Sequence, residues 1–140
     1  MKQKLIPANV ESMLQQAVYE ELYASHLYKH ITNQLQALGY FGASKYFSGE
    51  YSQETGHYQS LADYLNDVGY VAEIPALDAI DEPVNSLLNA VQLAYDTEVG
   101  LMEKYSEWYQ KSDPVTQQRL LKFIKIQRES AGELADLNKL

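Results

Sequence analysis

Residues 18–30, "VYEELYASHLYKH", carry the repeat of a helix and set a glutamate on its apolar side. Taking Leu14, Val18, Ser25, Ile31 and Leu35 as the buried stripe of a 3.6-residue repeat puts Glu21 and Tyr28, seven residues apart, close to that face. A carboxylate aimed at a core needs a partner, because burying an unpaired charge is costly.

The helical pattern extends both ways from this stretch. Asn9 is a candidate cap, Glu11 sits in the first turn, and apolar residues recur at three and four through Leu38 before Gly39 stops the run. After "GYFG" the stripe resumes as Phe47, Leu61, Leu65 and Val68 and ends at Gly69, which predicts a second helix antiparallel to the first. Residues 69–82, "GYVAEIPALDAIDE", contain Pro75 and hold no sustained period, so they are expected to cross the bundle as a long connection. A third helix is expected to open near Pro83, with Leu87, Val91, Ala94, Leu101 and Tyr105 inward, and to close near "SDP". There Asp113 can cap a fourth helix whose first position is Pro114, running through Leu120, Ile124, Leu134 and Leu137 to Leu140. Connections that are short, long and short predict an all-α, up-and-down four-helix bundle with one long crossover between the second and third helices, in one domain over residues 1–140. Glycines 49, 56, 100 and 132 fall inside these helices, where each costs about 1 kcal/mol relative to alanine, and close helix approach is one reason to keep them.

Composition narrows the chemistry. The 140 residues suit one domain, and the absence of cysteine removes disulfides, thiolate metal sites and thiol catalysis. A formal net charge of −8 disfavours nucleic acid and favours cations. The start, "MKQKLIPANVES", has no apolar run fit for a signal peptide, and no stretch of roughly 18 apolar residues occurs, so the expectation is a soluble, cytoplasmic protein without a membrane partner.

Each helix sets a polar group inward at one depth. In "SQETGHYQS", Glu54 and His57 are three apart and leave the same face, in a stripe of Phe47, Glu50, Glu54, His57 and Leu61. Glu98 is in register with Val91, Ala94, Leu101 and Tyr105, and Gln127 with Leu120, Ile124, Ser130 and Leu134. Three such glutamates would repel one another as anions, whereas two divalent cations bring four positive charges against three negative ones. Carboxylates with one imidazole suit iron or manganese, with zinc as a non-redox occupant.

The chain resembles the non-haem ferritins over nearly its whole length. The matching stretches are "EELYASHLY" around Glu21 and Tyr28, "EYSQETGH" around Glu54 and His57, "AYDTEVG" around Glu98 and "KIQRES" around Gln127. Related di-metal carboxylate bundles carry a second Glu-x-x-His pair; here Gln127 and Ser130 stand in its place, which resembles ferritin rather than bacterioferritin. Thr55 follows Glu54 where bacterioferritins have a haem-binding methionine, so no haem is implied.

The resemblance implies a ferritin-like bundle with two iron ions per subunit: Glu21 and His57 on the first, Glu54 bridging, Glu98 on the second with Gln127 beside it. Tyr28 is the near-site phenol, orienting a ligand and able to supply an electron, while core packing remains its other reading. The implied activity is a ferroxidase that oxidises Fe(II) with dioxygen or hydrogen peroxide, and stores iron if homo-oligomers close into a cage. Alternatives are a non-storing di-metal oxidase or peroxide scavenger, and a helical scaffold with a stabilising metal. Glu50 is a candidate for an iron entry route or a solvated glutamate. Trp108 is read as packing, and His26 and His30 as facing a surface or subunit contact.

Several features depart from the family. Around a third iron position that several ferritins build from glutamates, this chain offers Gln53, Ile126, Glu129 and Ser130, of which only Glu129 could serve as an accessory ligand. The fourth helix is expected to run to Leu140 without the short fifth helix that maxi-ferritins carry after it, and "TQQRLL" stands where some ferritins line a pore with acids. Both bear on assembly and iron entry, not on the paired site.

Overall fold

The structure is a computed structural model that describes residues 3–138. Four helices make up the described fold: α1 (Ala8–Ala37), α2 (Phe41–Asp67), α3 (Leu87–Gln110) and α4 (Pro114–Asn138). At 1.5 Å per residue, the 30 residues of α1 span roughly 45 Å.

Helix boundaries follow local chemistry. Gly39 and Gly69 have φ of 89° and 98°, the left-handed conformation that glycine adopts without a Cβ penalty. Each closes a helix in the same way: Tyr40 N–H donates to Leu35 O and Gly39 N–H to Gln36 O, while Tyr70 N–H donates to Leu65 O and Gly69 N–H to Asn66 O. Asp113 caps α4 by accepting from Thr116 N–H at 3.1 Å.

Two expected starts move. Helix α1 begins before Asn9, because Pro7 fixes its own φ at −69° and its carbonyl accepts from Val10 and Glu11 N–H. Helix α3 begins at Leu87 rather than near Pro83, since Ser86 accepts from Asn89 N–H at 3.0 Å and supplies the cap. Leu87 therefore sits in an open first turn and is exposed, as is Leu137 in the last turn of α4. Helix α2 starts at Phe41, inside "GYFG". The expected run of α4 to Leu140 ends at Asn138, with residues 139–140 outside the described part. A Cβ on Gly49, Gly56, Gly100 or Gly132 would meet nothing within 4 Å, so close approach inside the chain does not account for these glycines.

Residues 68–86 form the crossover and lie along α1 from its N-terminal to its C-terminal end. Gln15 Nε2 donates to Val71 O at 2.8 Å, Tyr19 Oη to Asp78 Oδ2 at 3.0 Å, and a ring nitrogen of His30 contacts Glu82 O at 2.8 Å. The chain is thereby returned to the far end of the bundle before α3 begins, so α3 runs antiparallel to α1. Helices α1 and α2 pack as one hairpin, α3 and α4 as the other, and α1 meets α3 between them. A hydrogen bond of 2.9 Å between Tyr64 Oη and Thr116 Oγ1 ties α2 to α4.

The apolar interior is not continuous. One cluster holds Val10, Leu14, Val18, Leu61, Leu65, Tyr105, Leu120 and Phe123; the other holds Leu27, Tyr28, Ile31, Leu35, Phe47, Val91 and Leu134. On α2, α3 and α4 the residues between the two clusters include the inward polar groups Glu54, Glu98 and Gln127, whereas on α1 Glu21 falls between Val18 and Ala24 of the first cluster.

Candidate metal centre

Every helix buries a polar side chain. Exposure is 0 % for Glu21, 2 % for Glu54, 1 % for Glu98 and 1 % for Gln127, depths at which polar groups require partners. Ligand atoms of Glu21, Glu54 and His57 lie within 4.8 Å of one another. His57 Nδ1 is 3.3 Å from Glu54 Oε2 and 3.5 Å from Glu21 Oε2. Its ring packs edge-on against Phe123 at 5.3 Å between centroids.

The carboxyls divide the available protons unequally. Burial, followed by repulsion from Glu21, holds Glu54 well above the usual carboxylate range. Burial also acts to raise Glu21, but the close approach of Glu54 and His57 outweighs it and holds Glu21 below its ordinary value. Glu98 is lifted to about 7 by burial, against the lowering effect of its hydrogen bond from Tyr28. The two neighbouring carboxyls Glu21 and Glu54 are thus pushed in opposite directions, as expected where adjacent carboxylates cannot all ionise.

Two phenols reach the cluster. Tyr28 Oη donates to Glu98 Oε1 at 2.6 Å, and Tyr105 Oη donates to Glu21 Oε1 at 2.5 Å. Tyr28 was singled out by its position in the sequence; Tyr105 was not, because it occupies an apolar stripe where a buried phenyl ring would give the same pattern. Its seven-residue spacing from Glu98, equal to that of Tyr28 from Glu21, was the available signal.

Three buried atoms of the layer remain without a hydrogen-bond partner: Glu21 Oε2 and both amide atoms of Gln127. Orphaned polar atoms at this depth cost about 1–3 kcal/mol each. The donor set of carboxylate oxygens, an amide oxygen and one imidazole fits divalent iron or manganese.

On the outer side of His57, a cavity of about 440 Å³ opens between α2 and α4, lined by Glu50, Gln53, His57, Ile126, Glu129, Ser130 and Glu133. Glu50 is largely buried there, and burial followed by repulsion from Glu133 raises its carboxyl. Glu129 joins these two, so the cavity adds Glu133 to the Glu50 and Glu129 that the sequence offered. Glu133 was missed because it lies off the stripe of α4. Of the histidines away from the cluster, His26 is exposed and His30 pins the crossover. Trp108 packs edge-on against Tyr105 at 5.2 Å.

A four-helix bundle whose core is interrupted by carboxylates and an imidazole defines a class of metal-handling bundles. The profile described as the ferritin-like domain matches residues 11–140, and the chain belongs to that family. A protein of Haemophilus influenzae described as a probable bacterial non-heme ferritin-like protein is 28% identical over 103 residues, 74% of this chain and 62% of that protein. The match thus spans under two thirds of that relative's length. Among solved structures, the ferritin of Chlorobium tepidum superposes with a TM-score of 0.89 at 20% identity, covering 95% of this chain and 84% of that one. An open-pore ferritin from the hyperthermophilic archaeon Archaeoglobus fulgidus gives 0.87 at 18% identity, with 98% and 86% covered. These structures share the fold, an all-α four-helix bundle. No described helix is long and apolar enough to cross a membrane.

Proposed function

We propose that this chain is a ferroxidase that takes two Fe(II) ions as substrate among Glu21, Glu54, His57, Glu98 and Gln127 and passes their electrons to dioxygen or hydrogen peroxide. The observation that carries this reading is the clustering of Glu21, Glu54 and His57 ligand atoms within 4.8 Å, beside buried Glu21 Oε2 and Gln127 amide atoms that lack partners. In this reading Glu21 and His57 hold one ion, Glu98 and Gln127 the other, and Glu54 bridges. Tyr28 orients Glu98.

The balance is simple. Two Fe(II) give up two electrons; dioxygen takes them with two protons and leaves as hydrogen peroxide, or peroxide takes them with two protons and leaves as two waters. The protein binds the pair within reach of one oxidant molecule. Glu54 and Glu98 yield their protons as cations enter, which replaces a costly set of buried charges by a compensated one. The cavity lined by Glu50, Glu129 and Glu133 gives Fe(II) an acidic route to His57. Ferric product is stored if copies of the chain close into a cage, a role suited to a cytoplasmic setting.

Aerobic oxidation of Fe(II) by the purified protein, compared with buffer and with Glu54→Ala, tests the activity. Oxidation no faster than buffer sinks it. Loss of activity in Glu54→Ala with helix content intact supports catalysis, whereas collapse of the fold favours a structural metal. Iron retained per chain on gel filtration after a large Fe(II) excess then decides storage: tens of atoms in a large species indicate a mineral, and about two indicate the paired site alone.

A further inference from the structure

Glu21 and Tyr28 stand seven residues apart on α1, and Glu98 and Tyr105 stand seven apart on α3. Each tyrosine reaches the other helix's glutamate: Tyr28 Oη to Glu98 Oε1 at 2.6 Å, Tyr105 Oη to Glu21 Oε1 at 2.5 Å. Both phenols are fully buried. We propose that Tyr105 is a positioning residue for Glu21, and that with Tyr28 it forms a reciprocal clamp in which each glutamate has one oxygen committed and the other turned to a divalent cation. The proposal rests on the metal reading of the site given above.

Three features support the clamp. First, the engaged oxygen of Glu21 is Oε1, and the oxygen left over, Oε2, is the one that has no hydrogen-bond partner and faces His57 Nδ1 at 3.5 Å. Fixing one oxygen removes the carboxylate's freedom to exchange its two ends, so the free oxygen is always presented on the same side. Second, a phenol is a neutral donor at neutral pH. It orients a carboxylate without cancelling the charge that a cation needs, as a lysine or arginine would.

Third, the two rings are seated in different cores. Tyr105 belongs to the cluster containing Leu14 and Leu65, where Trp108 meets it edge-on at 5.2 Å and Phe123 lies at 5.4 Å. Tyr28 belongs to the other cluster and stacks with Phe47 at 6.1 Å. The polar layer is therefore gripped from both sides, one carboxylate from each. Outer partners of metal ligands typically contribute about 10- to 100-fold in metal affinity.

The test is anaerobic titration of the wild-type protein, Tyr105→Phe and Tyr28→Phe with Co(II) alone, followed by calorimetry and by visible ligand-field absorption. Tyr105→Phe is expected to weaken one Co(II) by about 10- to 100-fold and to shift its bands, leaving the second ion near its wild-type affinity. Tyr28→Phe is expected to do the same to the other ion, with a distinguishable spectral change. If Tyr105→Phe lowers Tm but leaves both affinities and the spectrum unchanged, Tyr105 is only structural and the clamp is overturned. If the wild type itself binds no Co(II), the metal reading falls and the clamp with it. A Tyr105→Phe chain that unfolds without metal is titrated from that state: refolding at raised Co(II) supports the clamp, and failure at every concentration overturns it.

Discussion

Replacing Glu98 by Gln should stabilise the metal-free protein above pH 7 and change it little near pH 4.5. Burial lifts the Glu98 carboxyl from an ordinary 4.5 to about 7. Between those values the folded state keeps a proton that the unfolded chain has lost. The associated stability is present below about 4.5 and disappears as pH rises through 7. An interval of roughly 2.5 pH units at about 1.36 kcal/mol each is worth roughly 3 kcal/mol, or about 10 °C in Tm for a chain of this size. Glu54, held up by burial and by Glu21, acts in the same direction. Glu21, held down, matters only below 4.5, where its stabilisation is lost as pH falls through its folded value. The assay is thermal unfolding by circular dichroism from pH 5 to 8 in chelator, for wild type and Glu98→Gln. The wild type should lose roughly 10 °C more than the variant across that range, and saturating Zn(II) should reverse the order at pH 8, where only the wild type brings an anionic ligand at position 98. Parallel curves in chelator would refute the assignment of a buried proton to Glu98.

Gln127→Met should raise metal-free stability by about 1–3 kcal/mol by removing two orphaned amide atoms, while weakening divalent-ion binding; a lower Tm in chelator contradicts this. Gly69→Ala should destabilise more than Gly39→Ala, although both have positive φ, because a Cβ at Gly69 would meet Gln3 O at 2.5 Å and one at Gly39 meets nothing within 4 Å. Gly39→Ala is expected to cost about 1–2 kcal/mol from backbone strain alone, and equal losses on urea unfolding would show that the Gln3 contact does not matter. Titration with Co(II) at pH 6, in buffers of different ionisation enthalpy, should release about one to two protons per chain from Glu54 and Glu98; a buffer-independent heat contradicts that.

The sequence exposed the parts of this molecule that interrupt a pattern. Glu21, Glu54, Glu98 and Gln127 were legible because each breaks an apolar stripe, and all four are buried. Gly39 and Gly69 were legible as stops because their left-handed conformation excludes most other residues. Tyr105 was harder to see because a ring in an apolar stripe gives the same signal whether or not its hydroxyl has a task. Ser86 was overlooked beside the stronger punctuation of Pro83, yet a hydroxyl that accepts an N–H bond fixed the helix start. Glu50, Glu129 and Glu133 share a cavity only through the packing of α2 on α4, a distance that no single-helix repeat contains.

The crossover along α1 also decides which side chains can meet. With a short turn in its place, α3 would run parallel to α1, and equal seven-residue spacings would set Glu21 opposite Glu98 and Tyr28 opposite Tyr105. Acid would face acid and phenol would face phenol. By carrying the chain back to the far end first, residues 68–86 reverse α3 and turn two identical spacings into two donor–acceptor pairs. A segment with no regular structure, and none of the cluster's ligands, thereby sets the chemistry of the bundle's centre through direction alone.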